Sequence, residues 1–429
     1  MSMRLSTVWM IGLALVSWSL GTSLAHVSAG EIHVPSEGGA LIRAIETAQA
    51  GDILRLAPGT HQGPISIEKT ISIDGDSKAR IVGSGVGSVI RIEAPDVKIT
   101  GLTLTGSGLS QDTLDAGIKL LKTADRAIIS HNRILDNLTG VDVHGAEDVH
   151  VFENIIEGRR DMRVNERGNG IYVWNSPGLV AERNTIRYGR DGVFVNTSHR
   201  DTFRNNRFEQ LRFAIHYMHG NHGKISGNVS TDNDIGYALM FSDKLRVENN
   251  VSIGDRFHGL MLNYANMAKI TGNLVQRGGE KCLFMYNANK NEVTGNRFEA
   301  CPVGIHFTAG SARNTFKANA FIGNETQVKY VGSRNLDWSS EEGGNYWSDH
   351  AAFDLNGDGF ADTAYRPNDM VDQILWTQPA AKMLIGSPAI QLLHWTQSQF
   401  PALLPGGIVD TAPLMHAPVI EHPIAGAKG

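Results

Sequence analysis

An asparagine recurs at a nearly constant interval through the middle of this chain, and the interval limits the folds that the chain can adopt. The repeated residues are Asn132, Asn154, Asn184, Asn206, Asn228, Asn250, Asn273, Asn296 and Asn319. Their spacing is 22 or 23 residues, apart from one interval of 30. Most are followed by a small residue and an apolar-x-apolar triplet, as in Gly192-Val193-Phe194-Val195. Short alternating segments at a fixed period are typical of a β-solenoid. We therefore predict an all-β, right-handed parallel β-helix with one coil per repeat.

Outside the repeat, the composition changes along the chain. The predicted parts are a signal peptide (1–29), the parallel β-helix (30–330), an irregular segment with a calcium loop (331–370) and a helical, apolar docking tail (371–429). The signal peptide is predicted from Arg4, the apolar stretch from Val8 to Leu20 and the small residues that follow. The amphipathic stretch from Ala40 to Ala50 predicts a helix that caps the open end of the first coil.

The net charge bears on the partner of the protein, and the leader segment bears on its compartment. The net charge of −5 argues against nucleic acid as a partner. A signal peptide implies export, and we expect a periplasmic protein. In that oxidising compartment Cys282 and Cys301 either form a disulfide or act as small buried packing residues. The repeat places them about three residues out of phase in adjacent coils, which argues against a bridge without a local bend.

The tail beyond residue 370 is apolar but interrupted. Pro379, Pro388 and Pro401 divide it into pieces that are too short to span a bilayer. Such pieces could lie on a membrane or dock into a groove of a membrane protein. Alternatively, they could fold back and cap the last coil. The candidate docking residues are Trp376, Leu384, Leu392, Leu393, Trp395 and Phe400.

The register of the repeat predicts which side chains the solenoid displays. Counting from the small residue, positions one and three point inward, and positions two and four point outward. Met218 and Met240 then become direct neighbours, with Met261 diagonally adjacent. The full candidate set is Met218, Met240, Met261, His216, His258, His219, His222 and Met267. Thioether and imidazole groups without carboxylates are the ligands that monovalent copper prefers, so we predict transient Cu(I) binding. The alternative is a dry apolar patch that contacts another protein.

A second candidate metal site lies in the irregular segment. Alternating oxygen ligands around a glycine predict a structural calcium loop. The predicted ligands are the side chains of Asp354, Asn356, Asp358 and Asp362 and the carbonyl of Phe360. The loop lacks the glutamate at the twelfth position of a complete EF-hand. An unoccupied Asp/Gly turn is the alternative.

Parallel β-helices often act on acidic polysaccharides, so a carbohydrate-active enzyme, either a polysaccharide lyase or a C5-epimerase, is the alternative function. Such enzymes use clustered carboxylates and a basic residue along one groove. In the central coils the outward columns, read from the small residue, carry almost no acids. The sequence therefore gives no positive support to general acid–base catalysis.

The C-terminal segments add a resemblance to a known family. The relevant motifs are Gly344-Asn345-Tyr346-Trp347-Ser348-Asp349, the loop from Asp354 to Asp362, Tyr365-Arg366-Pro367-Asn368-Asp369, Ser387-Pro388-Ala389-Ile390-Gln391-Leu392-Leu393 and Gln397-Ser398-Gln399-Phe400-Pro401. Together with the coils, this combination resembles the NosD family, periplasmic accessory proteins for the copper maturation of nitrous oxide reductase. The resemblance covers essentially the whole mature chain.

The resemblance implies a set of partners. It implies a β-helix that is associated with the inner membrane through an ABC transporter, with a permease and an ATPase subunit. A membrane-anchored copper chaperone lipoprotein would supply the metal, nitrous oxide reductase would receive it, and the protein would itself be no enzyme. The methionine and histidine assignments depend on the register of the repeat and not on this resemblance.

Overall fold

Short strands stack into three walls through most of the chain. The computed structural model describes residues 30–332, 334–384, 386–400 and 407–420. The predicted signal peptide lies outside the described residues.

Wall 1 contains the longest strands of the central coils, and each pairs in parallel with the strand of the next coil. Its strands are Ile65–Ile67, Ile90–Ile92, Ala116–Leu120, Thr139–His144, Ile171–Trp174, Asp191–Asn196, Phe213–Met218, Ile235–Met240, His258–Asn263, Lys281–Tyr286, Val303–Thr308 and Thr326–Val331.

Walls 2 and 3 flank the repeated asparagines, wall 2 before them and wall 3 after them. Wall 2 consists of Glu31–Val34, Ile53–Leu56, Ser72–Val82, Lys98–Thr105, Ile128–Ser130, His150–Phe152, Val180–Glu182, Thr202–Arg204, Lys224–Ser226, Arg246–Glu248, Lys269–Thr271, Glu292–Thr294 and Thr315–Lys317. Wall 3 consists of Gly59–Gln62, Arg133–Leu135, Ile155–Glu157, Thr185–Arg187, Arg207–Glu209, Val229–Thr231, Val251–Ile253, Leu274–Gln276, Arg297–Glu299, Ala320–Ile322 and Tyr346–Trp347. The two strands Ser72–Val82 and Lys98–Thr105 bend across the corner and belong to both walls. This parallel stacking confirms the predicted β-helix.

Helices are few and lie at the two ends, apart from one short turn. They are Ala40–Thr47, the 3-10 helix Val164–Glu166, Met370–Thr377, the 3-10 helix Pro379–Leu384 and Pro388–Gln399. The first buries Leu41 and Ile45 against the first coils, as predicted for an N-terminal cap. Among the described residues, no helix has both the length and the apolar character needed to cross a bilayer.

The repeated asparagines form a buried ladder at the corner between walls 2 and 3. The side-chain amide of Asn206 donates to Asn228 Oδ1 at 3.0 Å and to the Ala181 carbonyl at 2.9 Å. Its backbone N–H donates to the same Asn228 oxygen at 2.9 Å. Asparagine recurs once per coil because each buried side-chain amide needs hydrogen-bond partners for its donors and its acceptor, and the next asparagine supplies one of them. The repetition is therefore a hydrogen-bonding requirement of the corner.

The C-terminal region differs from the predicted division into an irregular segment and a helical tail. Asn345 extends the asparagine ladder, since its Oδ1 accepts from the Asn319 side chain at 2.9 Å. The helical part ends at Gln399, and the strand Gly407–Val409 pairs with Asn335–Asp337. Asp410 is buried and accepts from the Trp347 indole at 2.8 Å. The segment from Gly407 to Asp410 thus contributes to the cap over the last coil.

The two cysteines form a disulfide inside the solenoid, and both are buried. Cys282 belongs to a wall 1 strand, whereas Cys301 lies at the corner just before the next one. Their Cα atoms are 5.7 Å apart, within the usual range for a bridge. The geometric objection from the repeat was wrong, because the chain bends at this corner and brings residues of different phase together.

One interior carboxyl predicts a pH-dependent stability. Asp201 is buried and accepts hydrogen bonds from Ser198 Oγ and Tyr217 Oη, each at 3.0 Å. Burial raises its pKa to about 7, above the ordinary value of 3.8. Between about pH 4 and pH 7 the folded protein therefore keeps the Asp201 carboxyl protonated, whereas the unfolded chain releases the proton. The resulting stability is complete below about pH 4 and is lost as the pH rises through about 7.

The Asp201→Asn variant should remove this pH dependence. From pH 5 to pH 8 the wild type should lose about 3 kcal/mol of unfolding free energy relative to the variant. Urea unfolding at both pH values measures the difference, with the exposed Asp136→Asn as the matched control. Parallel pH profiles for wild type and Asp201→Asn would contradict the assignment.

Candidate metal site

The register of wall 1 brings the predicted histidine and methionine columns together. His216 pairs with Ala238, which pairs in turn with Met261 in the next coil. Met218 pairs with Met240 on the neighbouring outward column. Because adjacent coils are about 4.8 Å apart, Met218 and Met240 are direct neighbours and Met240 and Met261 are diagonal ones, while His216 lies two coils from Met261. The columns have the register that was predicted for them.

His216 is held in one orientation by a buried carboxylate. Its Nδ1 lies 3.2 Å from Asp191 Oδ2, and Arg212 donates two hydrogen bonds to the same carboxylate at 2.8 and 2.7 Å. The ring stacks on Phe194 with a centroid distance of 4.7 Å. Burial raises the pKa of Asp191, but the hydrogen bonds from His216 and Arg212 outweigh it and hold that pKa below the ordinary value.

The second ring nitrogen of His216 is available as a ligand. Nε2 is buried and makes no hydrogen bond with the described part of the chain. A histidine whose other nitrogen is fixed by a carboxylate is the usual arrangement of a metal-bound imidazole. Asp191 and Arg212 therefore orient His216 so that Nε2 is free to coordinate.

Met240 and Met261 belong to a small apolar cluster on the outside of wall 1, and Met218 pairs with Met240 beside it. Met261 is only 9 % exposed and packs with Ala238 and Ile235, with Met240 at the edge. This cluster is separate from the solenoid interior. The small Ala238 side chain lies between His216 and Met261 in their column, so a metal could be approached by imidazole and thioether together. Cu(I) is the ion that such soft ligands select.

His258 lies at the far side of this cluster. It is 9 % exposed, and its Nδ1 is 3.9 Å from Glu280 Oε2 without a hydrogen bond. Burial, together with Lys281, lowers its pKa, so the imidazole is neutral near pH 7. Neutral imidazole is the form that binds metal. His306, further along the same wall, is also neutral because burial and the nearby lysines lower its pKa to about 4.

The remaining predicted ligands lie elsewhere. His219, His222 and Met267 occupy turns at the corner between walls 1 and 2. The His219 ring stacks on Phe241 at 5.2 Å, and Lys244 separates His222 from Met267 in their column. The structure therefore divides the eight predicted residues into a wall group and a corner group.

Sequence reading missed Asp191 and Arg212. Asp191 belongs to the outward column that also contains His258, one position before the small residue. Counting aligns Asp191 with Phe213 in the next coil, but it does not give the side-chain direction that brings the acid to His216. In the described residues, no three His, Cys, Asp or Glu side chains converge on a common point.

The predicted calcium loop is a hydrogen-bonded turn at the surface. Asp354 accepts from the backbone N–H groups of Gly357 at 2.6 Å and Gly359 at 2.9 Å. These bonds lower its pKa against the small effect of burial. Asp362 accepts from the Leu355 N–H at 2.7 Å. The turn is preformed, but its carboxylates do not converge in the described structure.

The C-terminal helices lie against the last strand of wall 1. Lys329 Nζ is 5.8 Å from the centre of the Trp376 ring, and Asn368 donates to the Val328 carbonyl. Val371 and Ile390 are buried, while Leu393 is half-buried. The remaining predicted docking residues are more than half exposed, namely Leu384, Leu392, Trp395 and Phe400. The helix Met370–Thr377 thus contacts the solenoid, and the helices that follow it present exposed apolar side chains.

The fold recurs in solved structures of different activity. The N-terminal fragment of bacteriophage Phi29 gene product 12 matches with a TM-score of 0.57 and 11% identity, covering 73% of this chain and 68% of that one. A family 28 exopolygalacturonase from Yersinia enterocolitica matches with a TM-score of 0.52 and 11% identity, covering 71% and 78%. These similarities concern the fold alone.

Sequence comparison identifies the family. A probable ABC transporter binding protein NosD from Stutzerimonas stutzeri is 41% identical over 378 residues, covering 85% of this chain and 87% of that protein. The Pseudomonas aeruginosa protein of the same name is 38% identical over 379 residues, covering 85% and 89%. The family model described as periplasmic copper-binding protein (NosD) matches residues 152–352, which include the wall group. The chain therefore belongs to the NosD family of periplasmic copper-binding proteins.

Proposed function

We propose that this protein accepts Cu(I) on wall 1 and delivers it to the apoprotein of nitrous oxide reductase. The wall group, His216, His258, Met218, Met240 and Met261, is the proposed transfer site. The observation that carries this proposal is His216: its Nδ1 is held by Asp191, its buried Nε2 has no partner among the described residues, and its column neighbour Ala238 packs against Met261. Thioether and imidazole ligands suit a cargo that must also be released.

We extend the proposal to the partners that the family resemblance implies. The protein would stand in the periplasm on an ABC transporter of the inner membrane, composed of permease and ATPase subunits. A copper chaperone lipoprotein would load it. The exposed apolar side of the C-terminal helices supports this docking, because contiguous exposed apolar surface marks interaction sites.

X-ray absorption spectroscopy of the purified protein loaded with Cu(I) tests the transfer site. We expect sulfur and nitrogen neighbours together, from methionine and histidine. A first shell of nitrogen and oxygen without sulfur would contradict the proposal, and so would a failure to bind Cu(I).

We further propose that the Asp354 to Asp362 loop binds a structural calcium ion. Its supporting observation is the preformed turn, in which backbone bonds already hold the Asp354 carboxylate. Ca²⁺ should raise the unfolding temperature by roughly 2–4 °C in a thermal melt, and EDTA should reverse the increase. Asp354→Asn should abolish the response, while Asp136→Asn should leave it intact. A response to Ca²⁺ that survives Asp354→Asn would show that the ion binds elsewhere.

A carbohydrate-active enzyme is the second candidate, and one cluster on wall 1 favours it. Lys119 Nζ lies 3.1 Å from Asp142, whose pKa is raised by burial despite that lysine, and Tyr172 follows in the next coil. Incubation with alginate or pectin fragments separates the two functions. Cleavage or epimerisation that is lost in Asp142→Asn would establish the enzyme. We expect no turnover.

A further inference from the structure

The corner between walls 1 and 2 carries an exposed aromatic column. His219, Phe241 and Tyr264 occupy the same turn of successive coils, and Tyr286 follows at the adjoining end of its strand. The ring centroids are 5.2, 5.2 and 5.8 Å apart in order. Phe241, Tyr264 and Tyr286 are 46, 43 and 42 % exposed. Large aromatic side chains are thus displayed in a continuous row.

A basic column runs parallel to the aromatic one, three residues further along each coil. Its members are Arg200, His222, Lys244, Met267, Lys290 and Arg313, all exposed and all with positive φ. The backbone N–H groups of Arg200, Lys244 and Lys290 each donate to the next coil at 2.9–3.0 Å, which keeps the column in register. At about 4.8 Å per coil the column is about 24 Å long. We call the two columns together the corner strip.

The charges of the corner strip are not neutralised locally. Within the described part of the chain, none of its arginines or lysines forms an ion pair. Two acids are adjacent, namely Asp243, which accepts from the Asn266 side chain at 3.0 Å, and the buried Asp201, which directly follows Arg200. The whole chain carries a net charge of −5, so a row of cations at this corner is opposite in sign to the charge of the protein as a whole. Exposed rings beside unpaired cations are the composition of a protein interface and not of an ordinary surface.

We propose that the corner strip docks the copper-accepting apoprotein of nitrous oxide reductase, through a contact face that is apolar at its centre and acidic at its rim. This inference depends on the proposed function of wall 1. The aromatic column directly follows the methionine column in sequence, since His219 follows Met218 and Phe241 follows Met240. A partner seated on the corner strip is therefore placed beside the thioethers.

The packing of the rings favours a protein over an acidic polysaccharide. His219 and Phe241 are inclined by 20°, and Phe241 and Tyr264 by 9°, so neighbouring rings cover each other's faces. A sugar ring stacks on a free aromatic face, and here the faces are covered by neighbouring rings. An apolar protein surface can instead pack against the exposed edges of these rings. Cations in a row then steer an acidic partner toward the site.

Substitution by asparagine tests the corner strip without straining the backbone, because asparagine tolerates positive φ better than lysine, arginine or aromatic residues. The charge variant is Lys244→Asn, Lys290→Asn and Arg313→Asn. The aromatic variant is Phe241→Asn and Tyr264→Asn. The matched control removes three exposed cations elsewhere, Arg80→Gln, Lys98→Gln and Arg277→Asn.

Binding of nitrous oxide reductase apoprotein is measured by surface plasmon resonance at two salt concentrations, with Cu(I) affinity measured in parallel. The charge variant should slow association at least about 10-fold at low salt and less at high salt. The aromatic variant should speed dissociation about 30-fold. Cu(I) affinity should stay at the wild-type value in both, and the control should bind the reductase as the wild type does.

Other outcomes overturn the inference while leaving the copper site intact. Wild-type reductase binding in both variants would show that the strip is not the dock. Loss of binding to alginate oligosaccharides, with reductase binding unchanged, would assign the strip to a polysaccharide. Loss of a wild-type dimer in sedimentation would assign it to a second copy of this chain. Failure of the wild type to bind Cu(I) would instead overturn the proposed function itself.

Discussion

Replacing Met218, Met240 and Met261 together by leucine should lower the affinity for Cu(I) by at least about 100-fold. Leucine has nearly the volume of methionine, so the apolar cluster and the coils should persist. The change removes sulfur alone, and the histidines that remain are a poorer set for a soft monovalent ion. Competition with bicinchoninate measures the affinity, and reductase maturation measures the consequence for transfer.

Two further variants test whether the loss of Cu(I) affinity is specific to the proposed site. Met285→Leu removes a methionine from the interior side of the same wall and should bind Cu(I) as the wild type does. Asp191→Asn should weaken binding by 10- to 100-fold, because it removes the carboxylate that orients His216. If the triple variant still binds Cu(I) with wild-type affinity, the methionine cluster is only a contact surface.

Polar substitution of the exposed side of the last helix should release the protein from its ABC transporter. The variant is Leu392→Gln, Trp395→Gln and Phe400→Ser, and these side chains are 60, 60 and 59 % exposed. Apolar anchors carry most of the energy of such interfaces, so the affinity should fall at least about 100-fold. Co-purification with the permease and ATPase subunits, followed by titration in detergent, measures it.

Substitution is preferable to truncation for a structural reason. A truncation after residue 370 would also remove Asp410, which accepts from the Asn345 N–H at 2.7 Å and supports the end of the asparagine ladder. The matched control is Ile42→Gln, Val86→Gln and Leu109→Gln, exposed apolar residues at the other end of the solenoid. Undiminished co-purification of the helix variant would show that the helices serve only to cap the last coil.

The repeat made most of the fold predictable, together with the alignment of the methionine and histidine columns in the candidate site. A ladder residue at every coil sets the length of the coil, and the length of the coil sets which side chains share a column. The neighbours Met218 and Met240 and the alignment of His216 with Ala238 follow from counting alone. Asp191 also lies in a countable column, but its hydrogen bond to His216 depends on a side-chain direction that counting does not supply.

The features that escaped prediction are those where the period changes. The interval from Asn319 to Asn345 is 26 residues, so the last step of the ladder was read as irregular sequence. Cys282 and Cys301 meet because the chain turns between walls, and Asp410 reaches Asn345 across 65 residues. By itself, the sequence determined the solenoid and its outward columns, because stacking repeats a local hydrogen-bond pattern. Only the tertiary structure decided how the end is closed, because those contacts join residues that no period relates. It also decided how His216 is oriented, because that depends on a side-chain direction that the period does not specify.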